Sequence, residues 1–64
     1  MVKTGKTPIG LRYATSGEYR LLAYAEGGYC LNRFVGEIGW VIADEVPADV
    51  ERELCAALGI EYVA

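Results

Sequence analysis

Histidine is absent from this chain of 64 residues. The sequence therefore lacks the most common general base of enzymes, the partner of Ser–His and Cys–His nucleophile pairs, and the imidazole ligands of most catalytic zinc sites. Cysteine is scarce as well. Cys30 and Cys55 form no CxxC pair and cannot complete a tetrahedral zinc site by themselves. We expect a protein that is not an enzyme, with no catalytic residues, no metal and no cofactor.

Two cysteines are also too few for the disulfide framework of a small secreted domain. Two buried, reduced thiols in a cytoplasmic protein are the simplest interpretation, and a single bridge between Cys30 and Cys55 is the alternative. Long apolar runs are missing too. The run at residues 40–43 is far below the ~20 residues that a membrane-spanning helix needs. We therefore expect a cytoplasmic protein with no secretion signal and no membrane contact.

The length predicts a single small domain over residues 1–64, with residues 1–8 as a flexible N-terminal arm. These first residues are mostly polar and end at Pro8, which favours extended backbone before it. Gly5-Lys6-Thr7 imitates the end of a phosphate-binding loop. However, the pattern that follows is that of a strand and not of the helix which such a loop requires.

Alternating apolar residues predict an antiparallel meander of three or four strands. Residues 9–13, 19–25 and 38–42 show this alternation, while Ser16-Gly17 and Gly27-Gly28 are typical of hairpin turns. With two-residue turns, the face expected to form the core holds Ile9, Leu11, Tyr13, Leu22, Tyr24, Tyr29, Leu31 and Val35.

Residues 47–58 predict one C-terminal helix, with Pro47 at its first position and Gly59 as its stop. Its expected apolar stripe is Val50, Leu54, Ala57 and Leu58. The predicted fold is α+β, a small antiparallel sheet with this helix packed on one face. A small, partly closed β-barrel with the helix as a plug or lid is the alternative. The residues expected to be buried together are Leu11, Leu22, Leu31, Trp40, Leu54 and Leu58.

The composition is 53% hydrophobic, which is high for a domain that buries only about 60% of its unfolded surface. One small core is not expected to hide all of these side chains. We therefore expect a homodimer or a hetero-complex, and its contact surface is predicted to include Leu21, Ala23 and Phe34 on the second face of the sheet.

Charge is unevenly distributed along the sequence. Residues 1–36 carry five basic and two acidic side chains, whereas residues 37–64 carry one basic and seven acidic side chains. Asp49 and Glu53 share one face of the predicted helix, and Asp44 and Glu45 lie just before it. A face of carboxylates can imitate nucleic-acid phosphates and occupy a basic groove of another protein, although acidic residues also serve simply as a solvated surface. Asp44, Glu45, Asp49 and Glu53 are the predicted protein-binding residues.

These observations favour a non-catalytic acidic binding protein that covers the surface of a partner protein with a basic surface. Its most concrete form is a small phage-type inhibitor of a nucleic-acid-binding enzyme, of the anti-CRISPR kind. A structural or regulatory homodimerising module is the alternative. A third hypothesis is a single-stranded nucleic-acid binder that uses Arg and Tyr on strands, namely Arg12, Tyr19, Arg20, Tyr24 and Arg33. The net charge of −3 disfavours nucleic acid as a partner.

Overall fold

A computed structural model describes residues 2–62 of the chain. Within these residues, five strands are followed by one helix. They are β1 (Lys3–Lys6), β2 (Arg12–Ser16), β3 (Tyr19–Ala23), β4 (Tyr29–Val35), β5 (Gly39–Ile42) and α1 (Ala48–Ala57).

The strands form one antiparallel sheet in the order β1-β2-β3-β4-β5, so each strand pairs with its neighbour in the sequence. The predicted α+β class is confirmed, with an antiparallel meander followed by a C-terminal helix. The expected number of three or four strands is wrong. Residues 3–6 lie within the segment expected to be an arm and instead form the edge strand β1. The sequence of β1 does not indicate a strand, because three of its four residues are exposed at the edge of the sheet and need not be apolar.

The helix α1 packs mainly on β2 and β3. The fully buried centre of this contact combines Ala14 and Leu21 from the sheet with Leu54 and Cys55 from the helix, and Ala23 is nearly as buried. Small side chains at positions 14 and 23 allow the helix to approach the sheet closely. The core face of the sheet is therefore the one that was expected to face a dimer partner through Leu21 and Ala23.

The register of the β3–β4 pair explains this error. The two strands are joined by residues 24–28, in which the amide of Tyr24 donates to the carbonyl of Gly28 and the amide of Gly27 donates to the carbonyl of Tyr24. Leu21 consequently lies opposite Leu31, whereas a two-residue turn at Gly27-Gly28 would pair different residues. Because side chains alternate between faces, an odd shift in pairing exchanges the two faces of one strand relative to the other.

Of the expected core, only Leu54 is fully buried, while Leu31 and Leu58 pack against the buried cluster. Leu22 and Trp40 lie on the other face of the sheet. We call this the outer face. It is formed by Lys3, Gly5, Tyr13, Thr15, Arg20, Leu22, Cys30, Asn32, Phe34, Trp40 and Ile42.

The helix boundaries agree closely with those expected. Helix α1 ends at Ala57, with Leu58 as its C-cap residue. Pro47 is its N-cap residue, one position before the first helical position expected for it. Gly59 has a φ of +70°, the left-handed conformation that glycine adopts without steric cost. Its amide donates to the carbonyl of Ala56, and the amide of Ile60 donates to the carbonyl of Cys55. These two bonds form a Schellman motif, which satisfies carbonyl groups at the helix end.

Both cysteines are free. Cys30 is on the outer face of the sheet, whereas Cys55 is buried between the helix and the opposite face. The sheet separates the two sulfur atoms, so the alternative of a Cys30–Cys55 bridge is wrong for this fold. Within residues 2–62 no helix has the length and apolar character needed to cross a membrane.

Candidate functional site

Charge is sorted by secondary structure. Within the described part of the chain, the strands contain five of the six basic residues and none of the nine acidic ones. The acidic residues lie on the helix, in the connections and in the C-terminal segment. Among residues 2–62, Arg52 of α1 is the one basic residue outside the strands. The molecule therefore has a basic sheet and acidic surroundings, although its net charge is only −3.

A cluster of aromatic and basic side chains occupies the outer face. The guanidinium of Arg20 lies over the ring of Trp40, with its carbon 4.7 Å from the ring centroid. The ring of Phe34 meets that of Trp40 edge to face, with 5.4 Å between the centroids. Both aromatic residues remain exposed to solvent.

Asn32 fixes the position of Arg20 in this cluster. Its side-chain Oδ1 accepts two hydrogen bonds from Arg20, from Nε at 3.1 Å and from Nη2 at 3.0 Å. Asn32 is buried. The two side chains are neighbours because residues 20 and 32 are paired in the β3–β4 register. The remaining guanidinium N–H groups are free of this interaction and are available to a ligand.

A groove of about 430 Å³ lies beside the Arg20–Trp40 stack. Its wall contains Lys3, Arg20 and two aromatic rings from the outer face, and no acidic residue lines it among the residues described. Lys6 borders it from the end of β1, because its pairing with Arg12 places Lys6 on the opposite face of the sheet. The residues that define it are Lys3, Lys6, Tyr13, Thr15, Arg20 and Trp40, together with Thr7 and Pro8 of the β1–β2 connection. We call this the basic groove.

The predicted acidic site lies elsewhere on the molecule. Asp49 and Glu53 are exposed one turn apart on α1, and Asp44 and Glu45 are exposed in the connection that leads to the helix. Within residues 2–62 none of the four accepts a side-chain hydrogen bond or forms an ion pair. The four carboxylates thus remain available to a partner.

Two neighbouring residues of α1 are engaged within the protein. Oε2 of Glu51 accepts a hydrogen bond of 2.6 Å from the hydroxyl of Tyr29. This bond, followed by burial, raises the pKa of Tyr29 well above its ordinary value. The guanidinium of Arg52 lies 5.4 Å from the ring centroid of Tyr62. Glu51 therefore links the helix to the sheet and is not part of the free acidic surface.

A further surface feature is an apolar margin along β5. Phe34, Trp40 and Ile42 lie on the outer face, which α1 does not cover. Val35 and Ile38 lie at the end of β4 and in the β4–β5 connection, beyond the strands β2 and β3 on which α1 mainly packs. Ile38 is 74% exposed and Ile42 is 78% exposed. The large exposed apolar side chains of this margin are Phe34, Val35, Ile38, Trp40 and Ile42.

Sequence reasoning missed the basic groove. Of the five residues named for the nucleic-acid hypothesis, only Arg20 lines it. Arg12 instead donates to the carbonyl of Leu58, and Arg33 forms an exposed ion pair of 3.3 Å with Glu18. Residues 3–6 read Lys-Thr-Gly-Lys and show no alternation of apolar and polar side chains, so this segment was interpreted as an arm.

Comparison with known proteins does not place this chain in a family. No protein-family model, curated protein or solved structure gives a significant match to this chain.

Proposed function

We propose that this chain is a non-catalytic binding protein that acts by covering the surface of a partner protein. The contact is made by the acidic side of the molecule, which comprises Asp44, Glu45, Asp49 and Glu53. The observation that carries this proposal is the sorting of charge, because it concentrates acidic residues around the helix and leaves these four carboxylates exposed and unpaired among the described residues.

A partner with a basic surface fits this arrangement. Asp49 and Glu53 are held one turn apart by a helix that is anchored through Leu54, so their spacing is defined before binding. Exposed carboxylates that lie close together resemble the phosphates of a nucleic acid in charge. The most concrete form of the proposal is therefore a small phage-type inhibitor, of the anti-CRISPR kind, that occupies the nucleic-acid groove of an enzyme. The two free cysteines support a reducing, cytoplasmic location.

Charge reversal on the helix tests the proposal. Affinity purification from a bacterial host lysate at low salt should recover a basic partner with the parent protein. The double variant Asp49→Lys, Glu53→Lys should not recover it. Loss of buried interfacial charge pairs typically costs about 2–5 kcal/mol of affinity, and the parent's binding should also weaken as salt is added. Competition between the parent and the partner's nucleic acid then tests the inhibitor form directly.

The matched control is Glu26→Lys, Glu37→Lys. It makes the same change in net charge but lies in the β3–β4 and β4–β5 connections. This control should keep the partner, and both variants should show the circular dichroism of the parent. Equal binding by the parent and the helix variant at low salt would mean that the acidic residues are only a solvated surface.

A homodimerising structural or regulatory module is the second candidate. It is favoured by one observation, the exposed apolar margin that includes Ile38 and Ile42. Isolated apolar side chains are normal on surfaces, but neighbouring ones are typical of contact sites. Here β5 is also an edge strand with unpaired backbone groups on its outer side, which is a feature that a second chain can pair with.

A further inference from the structure

We propose that the basic groove binds single-stranded nucleic acid. This inference goes beyond the protein contact made by the acidic side and uses a different part of the molecule. Lys3, Lys6 and Arg20 would contact phosphates, while bases stack on the exposed Trp40 and on the half-buried ring of Tyr13. The groove lies within the size range of small-ligand sites, about 300–1,000 Å³.

Charge complementarity selects a polyanion as the occupant. Three cations line the groove, and no carboxylate lines it in the described part of the protein. A second copy of the chain docking face to face through this surface would bring the cations of the two copies together. An acidic ligand avoids that repulsion, so the groove favours an anion over self-association.

The aromatic residues select nucleic acid among the polyanions. Proteins that bind single strands combine a positively charged groove with aromatic side chains on which bases stack. Tyr13 and Trp40 supply such rings within the same groove as the cations. Duplex nucleic acid does not fit this role because its bases are already stacked and paired.

The side chain of Arg20 is preorganised for binding a phosphate. Asn32 holds the Nε edge of the guanidinium, and Trp40 lies against its plane. A side chain that is fixed in this way loses less conformational entropy on binding than a free arginine. The net charge of −3 does not oppose the interaction strongly, because the acidic residues lie outside the sheet that forms the groove.

The sole tryptophan gives the experiment a local reporter. Unlabelled oligothymidine and oligouridine should quench the fluorescence of Trp40 in a saturable titration at low salt. Polyphosphate at the same phosphate concentration, which lacks bases, should leave the fluorescence unchanged, and a duplex should bind more weakly. With three phosphate contacts, the plot of log affinity against log salt should have a slope of about −2.

Variants locate the site. Arg20→Gln should weaken oligothymidine binding by about tenfold, the loss expected for one charge-assisted contact. Lys3→Glu with Lys6→Glu changes exposed or edge-strand positions that the core does not need, and it should abolish binding without unfolding the chain. Arg33→Gln is the control, since it removes one charge from an exposed ion pair outside the groove. It should bind within about twofold of the parent.

Three results would overturn the inference. The first is an absence of quenching by both oligonucleotides at low salt. The second is equal binding by Arg20→Gln and Arg33→Gln. The third is a groove variant, Lys3→Glu with Lys6→Glu, that alters only the oligomeric state in light scattering, because the occupant of the groove would then be a second copy of the chain. The charge-reversal variant of the helix should retain oligonucleotide binding. The experiments can therefore disprove the nucleic-acid proposal and the protein-binding proposal separately.

Discussion

The ring of Tyr13 lies across the backbone of Gly5, so closely that a Cβ at residue 5 would be 2.6 Å from the Tyr13 hydroxyl oxygen. The two residues are directly paired between β1 and β2. Tyr13 is thereby held over the edge strand, where it forms part of the basic groove.

The first prediction follows from this contact. Gly5→Ala should lower the free energy of unfolding by about 1 kcal/mol, at the lower end of the cost of overpacking, because the ring of Tyr13 can turn outward. Denaturant titration measures the change. Gly36→Ala is the control, since no atom of the described residues outside its chain neighbours lies within 4 Å of a Cβ there and its φ is not positive. Equal effects at the two positions would contradict the close contact.

The second prediction concerns the core. Leu54→Ala should cost about 2–5 kcal/mol because this side chain is fully buried between the helix and the sheet. Such a loss would unfold much of so small a domain. Ile42→Ala, at a position that is 78% exposed, should change stability by no more than about 0.5 kcal/mol. A Leu54→Ala variant with the parent's melting curve would show that α1 does not pack as described.

The third prediction concerns pH. The hydrogen bond to Glu51 raises the pKa of Tyr29, so the folded state disfavours ionisation of this residue. The stabilisation is complete below about pH 10, the pKa in the unfolded chain, and is lost as pH rises beyond it toward the folded pKa. Tyr29→Phe should cost about 0.5–1.5 kcal/mol near neutral pH.

The stability difference between the parent and Tyr29→Phe should therefore narrow above about pH 10. Urea titrations at several alkaline pH values measure it. Tyr13→Phe is a suitable control, because no carboxylate accepts a hydrogen bond from the Tyr13 hydroxyl among residues 2–62. A constant difference for Tyr29→Phe across this pH range would be inconsistent with the linkage.

The fourth prediction distinguishes the dimer hypothesis. If the apolar margin along β5 joins two copies, Ile38→Thr with Ile42→Thr should convert a dimer into a monomer in light scattering. Ile9→Thr is the control, because Ile9 is 82% exposed but lies in the β1–β2 connection away from this margin. A parent that remains monomeric at high concentration removes the dimer and leaves the margin available to another protein.

The helix and the order of the later strands could be predicted because their signals are local. Pro47 and Gly59 mark the two ends of α1, and Val50, Leu54 and Leu58 place its apolar stripe. Cys55 is buried where Ala57 was expected, since the helix is rotated slightly relative to the ideal stripe. Asp49 and Glu53 lie on α1, Asp44 and Glu45 lie in the connection before it, and their role in binding stays a prediction.

The core face could not be predicted because it depends on non-local pairing. The five-residue connection 24–28 sets the β3–β4 register, and its two adjacent glycines are compatible with either turn length. The larger apolar residues Tyr13 and Leu22 also favoured the wrong face. Close helix packing instead selected the face with Ala14 and Ala23, where small side chains give room for the helix backbone.

The separation of basic strands from acidic helix and connections gives the molecule an electric dipole that its isoelectric point of about 4.7 does not describe. A dipolar protein turns in the field of a charged object before it touches it. The outer face carries Lys3 and Arg20 and no carboxylate among the described residues, so it should turn toward an anionic surface, whereas the side with the exposed Asp49 and Glu53 should turn toward a cationic one. Retention on both anion- and cation-exchange resins near neutral pH and low salt is the chromatographic behaviour that this asymmetry implies.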